Sequence, residues 1–159
     1  MAQSTATEAA AEANANVIAP ITIAKNLSLE FGNVVAGAGT VTIAAADGTR
    51  TNTPPTLSPG ATQQGLVRAA TFDVTGEGTS TYAITLPATA VELSQTGTPA
   101  NKMTVTAFTV AGTGVDSVLK TGVLAAGAAT LNVGATLNVA AAQPAGAYTG
   151  TYAVTVAYN

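Results

Sequence analysis

Large apolar and small polar side chains change places at every residue through AYTGTYAVTVAYN, residues 147–159. Tyr148, Gly150, Tyr152, Val154, Val156 and Tyr158 fall on one side, with Thr149, Thr151, Ala153, Thr155, Ala157 and Asn159 on the other. A period of two belongs to a strand whose successive side chains point to opposite faces of a sheet. A helix would scatter the same residues around its circumference, so this stretch demands a sheet with one buried face. The spacing predicts a strand that opens at Gly146 and runs to the last residue, leaving its outer edge without a successor to pair with.

The same rhythm recurs upstream. Ile21 and Ile23 alternate with Thr22 and Ala24 just after Pro20, which cannot donate to a ladder and marks an edge or a switch between sheets. Leu27, Leu29 and Phe31 continue the pattern, and Val41 and Ile43 precede Asp47-Gly48, a hairpin signal. RTNTPPTLSPGATQQG, with its three prolines, reads as a connection outside the core. Phe72 and Val74 face Tyr82, Ile84 and Leu86 in a hairpin predicted across Gly76-Glu77-Gly78. Met103, Val105 and Ala107 oppose Thr104, Thr106 and Phe108 on the next strand. TLNVGA then echoes as TLNVAA, which puts Leu131, Val133, Leu137 and Val139 on one face if the strand is straight, although Gly134 invites a bulge. Seven or eight short strands with Gly and Pro punctuation and no long helix predict an all-β sandwich.

Threonine occupies 28 positions and suits pleated surfaces, whereas charged residues make up only 8% of the chain against roughly 25% in ordinary domains. Five Lys and Arg, widely scattered in a chain of net charge −3, exclude a nucleic-acid interface. No cysteine is present to form a disulfide or a thiolate metal site, and no apolar run approaches the roughly 18 residues of a membrane span. MAQSTATEAAAEANA lacks the basic start and apolar middle of a signal peptide. Low charge with abundant Thr, Gly and Ala is nonetheless a composition of exported surface proteins.

Catalysis has little to work with. Histidine is absent, and no two of Glu8, Glu12, Glu30, Asp47, Asp73, Glu77, Glu92 and Asp116 form an acid/base motif or a calcium loop. GAGT, GEGT and GTGV precede no amphipathic helix and read as turns, not phosphate cradles. Lys25, Lys102 and Lys120 are isolated charges, and the Asn26-Leu27-Ser28 glycosylation triplet falls in a predicted strand. The expectation is a protein without enzymatic activity and without a cofactor or metal.

Residues 1–16 stand apart from the domain expected over 17–159. Alanine and glutamate favour a helix there, yet Thr5, Thr7, Ala9, Ala11, Ala13, Ala15 and Val17 alternate with Glu8, Glu12, Asn14 and Asn16, which suits a strand with small inward side chains. Strand, short helix and disorder all remain open for this leader.

The ending, with Tyr158 penultimate and Gly146 fourteenth from the end, resembles the C-terminal signature of pilin subunits assembled by the chaperone-usher pathway. PAGAYTGTYAVTVAY is similar to the archaic branch of that family, which includes spore coat protein U-like domains and related bacterial surface domains; ANVIAPITIAKNLSLEFGNVVAG is similar to their first strand. The resemblance implies an incomplete immunoglobulin-like β-sandwich that lacks its final strand, with a groove filled by the N-terminal extension of a neighbour. It implies that Thr5, Thr7, Ala9, Ala11, Ala13, Ala15 and Val17 form the donor strand, and that Gly146, Tyr148, Tyr152, Val154, Val156 and Tyr158 line the acceptor groove. A head-to-tail homopolymer on the cell surface, exported with a periplasmic chaperone and an outer-membrane usher, is the function so implied. The alternative is a monomeric secreted β-sandwich binding module for a carbohydrate or surface ligand; the absence of Trp, with only four Tyr and three Phe, weighs against it.

Overall fold

The doubled TLNV sequence lies within one twelve-residue strand, Ala128–Val139, on which Leu131, Val133, Ala135, Leu137 and Val139 are all buried. The echo spans an even number of residues, so both copies turn Leu and Val to the same face. The computed structural model describes residues 1–159 and is built around this strand. In chain order the strands are β1 (Thr22–Leu27), β2 (Glu30–Phe31), β3 (Gly39–Ile43), β4 (Arg50–Thr53) and β5 (Val67–Arg68). Next come β6 (Ala70–Thr75), β7 (Thr81–Thr85), β8 (Val91–Gln95), β9 (Thr98–Ala111) and β10 (Val115–Asp116). β11 (Thr121–Val123), β12 (Ala128–Val139), β13 (Tyr148–Thr149) and β14 (Thr155–Tyr158) follow. The only helical pieces are two 3-10 turns, Pro55–Leu57 and Ala61–Gln63, so no helix is long and apolar enough to cross a membrane.

The large sheet has the order β1-β6-β12-β9-β8-β13, with the β3–β4 hairpin attached to the second half of β12. A four-stranded sheet, β10-β11-β7-β14, faces it, and β2 pairs with β5 alone. Tyr82 and Ile84 of β7 and Val154 share one apolar cluster with Phe72, Val74, Leu131 and Val133 of the large sheet. The core therefore lies between two sheets, and the all-β fold is sandwich-like. Each fully buried Val or Leu contributes roughly 1.5–3 kcal/mol, and no charged or polar residue is buried among them.

Several strand readings from the sequence need correction. The predicted hairpin across Gly76-Glu77-Gly78 is a crossing between sheets: β6 pairs with β1 and β12, whereas β7 pairs with β11 and β14. The RTNTPPTLSPGATQQG segment contributes β4 and the fully buried Leu57 to the body of the domain. On β9 the interior face changes phase, with Met103 and Val105 buried, Ala107 exposed and Phe108 buried. Ala107 has φ 51°, and two residues of β9 oppose one of β12 there, which is a β-bulge. A second irregularity between Lys25 and Leu27 leaves Leu27 exposed while Leu29 and Phe31 are half-buried.

The closing strand is likewise two pieces. β13 pairs with β8 in the large sheet, residues 150–154 cross, and β14 pairs with β7 in the small one. Its alternation survives the crossing: Tyr148, Tyr152, Val154, Val156 and Tyr158 are all at least half-buried, and the odd-numbered residues between them are exposed.

Gly134 holds the branched sheet together by what it lacks. A Cβ there would run into the backbone of Ile43, Ala44 and Ala45, where the β3–β4 hairpin crosses β12. Gly134→Ala is expected to lower unfolding free energy by about 1–3 kcal/mol, measured by urea denaturation. Gly60→Ala, whose Cβ would meet nothing within 4 Å, is expected to shift it by less than about 0.5 kcal/mol. Equal effects at the two positions would show that β3 does not approach this closely.

Candidate functional site

Toward the Val139 end of β12 an apolar cleft of about 830 Å³ opens on the inward face of the large sheet. Its floor is the inward face of three strands, with Val91 and Leu93 of β8, Met103, Val105 and Phe108 of β9, and Leu137 and Val139 of β12. One wall is residues 28–36 and the other is residues 143–152.

Both walls are held by side chains reaching the backbone. The Arg50 guanidinium donates from Nη1 to Phe31 O (3.0 Å) and Asn33 O (2.8 Å), and from Nε to Asn52 Oδ1 (2.8 Å). Asn33 donates from its backbone N–H to Gln64 O and from Nδ2 to Gln63 O, both at 2.7 Å. Across the cleft, Gln95 Nε2 donates to Ala145 O (2.8 Å), and Tyr148 Oη accepts from Gln143 Nε2 and donates to Pro144 O, each at 2.8 Å. Gly150 passes so close to Glu92 O that a side chain would collide, which lets the 143–152 wall lie against β8.

Tyr152 sits at the inner end of the cleft. Its ring packs on Phe108 at a centroid distance of 4.9 Å and edge-on to Phe72 at 6.5 Å. Burial disfavours the phenolate and pushes its pKa up to about 12. Glu30 is the one charged side chain on the lining, and Arg68 Nη2 stands 3.8 Å from its carboxylate. The lining offers apolar surface and backbone polar groups, and no three carboxylates gather anywhere to hold a metal. The cleft is of the concave, mostly apolar kind with few polar groups.

Of the residues singled out in the sequence, Gly146, Tyr148 and Tyr152 line this cleft. Val154 belongs to the core, Val156 packs against it, and Tyr158 lies at the other end of the domain beside Ala19. Thr5, Thr7, Ala9, Ala11, Ala13, Ala15 and Val17 are exposed, in neither strand nor helix, and are not brought to the cleft. Sequence reasoning missed the 28–36 wall and its Arg50 clamp, because a single arginine 17 to 19 residues further along the chain carries no local signal. Phe108 was missed because the bulge at Ala107 reverses its facing.

A tyrosine kept neutral by burial stabilises the fold below its unfolded pKa near 10 and loses that contribution as pH rises toward its folded value. Stability is therefore expected to fall between pH 10 and 12, by up to ~1.4 kcal/mol per pH unit from Tyr152. Burial also raises Tyr82, so Tyr152→Phe should reduce the slope without abolishing it, as read by denaturant titration across that range. An unchanged slope would place the Tyr152 hydroxyl in water.

No curated protein and no solved structure matches the chain. Residues 21–158 match the family described as Domain of unknown function (DUF4402), which takes in β1 to β14 and leaves the leader outside. The chain belongs to the DUF4402 family.

Proposed function

We propose that the protein is the structural subunit of an extracellular bacterial filament, and that the leader of one copy fills the cleft of the next. The domain is then an incomplete immunoglobulin-like sandwich completed by β-strand addition from its neighbour. The observation that carries this reading is where the leader is attached relative to the cleft. The leader joins the domain beside Tyr158 and Gly76, at the Ala128 end of β12, while the cleft opens at the Val139 end. The two ends of the twelve-residue β12 are eleven rises apart, roughly 36 Å at ~3.3 Å per residue. An interface whose halves lie at opposite poles of one body is head-to-tail and propagates.

Two further features support it. β13 and β14 are each the last strand of their sheets and have a partner on one side only. The leader carries Glu8 and Glu12 on one alternating face and small apolar groups on the other, which suits a strand with one face in an apolar cleft and one in water. On this reading the protein is no enzyme, its partners are identical copies, and a periplasmic chaperone and outer-membrane usher deliver it to the cell surface.

A monomeric binding module is the second reading. Phe31, Phe108, Tyr148 and Tyr152, four of the seven aromatic residues, line the cleft and offer a small ligand rings to stack on.

Complementary halves separate the two. Removal of residues 1–16 leaves a cleft without a donor, and Leu93→Arg leaves a donor with a blocked cleft. Purified wild-type protein is expected to form multimer ladders and fibres in negative-stain microscopy, while each variant alone does not. Mixed, the two variants are expected to stop at one-to-one dimers in gel filtration. A wild-type protein that stays monomeric at high concentration, or a truncated chain that still polymerises, would overturn the donor reading in favour of the binding module.

A further inference from the structure

Of the residues ahead of Ile21, one is fastened to the domain on both sides of its backbone. The Ala19 N–H donates to Glu77 Oε2 at 3.0 Å, and the Ala19 carbonyl accepts from Tyr158 Oη at 2.8 Å. The same hydroxyl accepts the Glu77 N–H at 2.6 Å, so carboxylate, hydroxyl and turn backbone close around a single residue. Residues 1–18 make no hydrogen bond to the rest of the chain.

The clasp is anchored on a fixed base. Gly76 donates to Gly127 O (2.9 Å) and Gly127 donates to Gly78 O (2.7 Å), which ties the turn to the β11–β12 connection. A Cβ on Gly76 would strike the Tyr158 hydroxyl, so glycine is what lets the phenol reach across. Pro20 follows immediately; it fixes its own φ and confines Ala19 to extended conformations. Thr22 then enters β1 opposite Thr75, their hydroxyls 2.7 Å apart. Grip, stiffener and ladder thus fall on four successive residues.

We infer that Tyr158 and Glu77 are positioning residues for the leader, fixing the direction in which it leaves the domain and hence the angle between successive copies. This rests on the donor reading. If the donor strand extends to Val17 in the neighbour's cleft, Ile18 is the single residue between that cleft and the Ala19 clasp. One free residue permits little rotation, so the clasp transmits orientation from copy to copy. Nothing in the core needs Ala19 held: it is exposed, as are all the residues before it. The clasp is built for the chain that passes through it.

The test uses full-length protein and the variants Tyr158→Phe, which keeps the ring and removes both hydroxyl bonds, and Glu77→Ala at an exposed position. Fibres are expected to form in both variants, because the cleft lies at the other pole. Their persistence length should fall several-fold and their twist become irregular in cryo-electron images. A synthetic peptide of residues 1–18 should bind the truncated domain within two-fold of wild type in either background, a result a general loss of structure would not give. Variant fibres with wild-type twist and stiffness would overturn the inference while leaving the donor reading intact; absence of fibres from wild-type protein would overturn the donor reading itself. Should Tyr158→Phe fail to fold, Glu77→Ala carries the measurement. Fast hydrogen exchange at the Ala19 amide in soluble wild-type protein would show that the clasp does not form.

Discussion

The fold depends on β12 meeting three strands at once. Its first half pairs with β6, its second half with β3, and its other edge with β9 from Asn132 to Asn138. A strand has only two edges, so one of them must be handed from β6 to β3 partway along. Gly134 sits at that changeover, where the β3 hairpin backbone comes closer than any side chain allows. On the opposite edge the bulge at Ala107 takes up the extra residue in β9, and the alternation along β12 is unbroken. Five apolar side chains therefore stay on one face of β12 along its length, and both sheets are positioned by that row.

That row also sets where the cleft lies. Because β3 and β4 join the far half of β12, the large sheet fans apart toward Val139, while the small sheet, through β7 and β14, covers the near half. The floor of the cleft is the part of the row the small sheet does not reach. Leu137 and Val139 are buried, yet they line open space rather than meeting a facing strand. Apolar surface left facing a void lacks part of the dispersion and burial that the rest of the row gains, so an occupant of matching shape stabilises the domain. The clamp from Arg50 and the bonds to Ala145 and Pro144 keep the walls apart in the meantime.

Much of this was legible in the sequence as faces and little of it as partners. Alternation fixed which side of the closing strand is interior, and the Tyr-Val face from Tyr148 to Tyr158 is the inward one even where the strand is interrupted. The Asp47-Gly48 hairpin was readable because turn chemistry is local: Thr49 N–H bonds the Asp47 carboxylate at 2.9 Å and Gly48 takes φ 72°. Period two says nothing about which sheet a strand joins, so the crossing at residues 76–80 looked like a hairpin. Nor does propensity announce an alanine at positive φ, so Ala107 hid the reversal that buries Phe108. The cleft was illegible for a plainer reason. Its walls come from segments more than a hundred residues apart, and only the long β12 brings them together.

The composition of the leader explains why it finds no place on its own domain. Ala and Thr side chains bury too little apolar surface to repay the ordering of a dozen residues against a convex face. The same residues gain more in a concave site, where the ladder supplies backbone hydrogen bonds and the walls desolvate both sides at once. The cleft is concave and apolar, and it lies toward the opposite end of β12 from the leader's attachment. On the proposed donor reading, a strand that makes no pairing on its own domain, joined at one end of a body whose cleft is at the other, pairs with a second copy. Repeated under that reading, the pairing would add each subunit in the same direction as the last, and the angle at which residues 18 to 20 leave the domain would decide whether the series closes or extends.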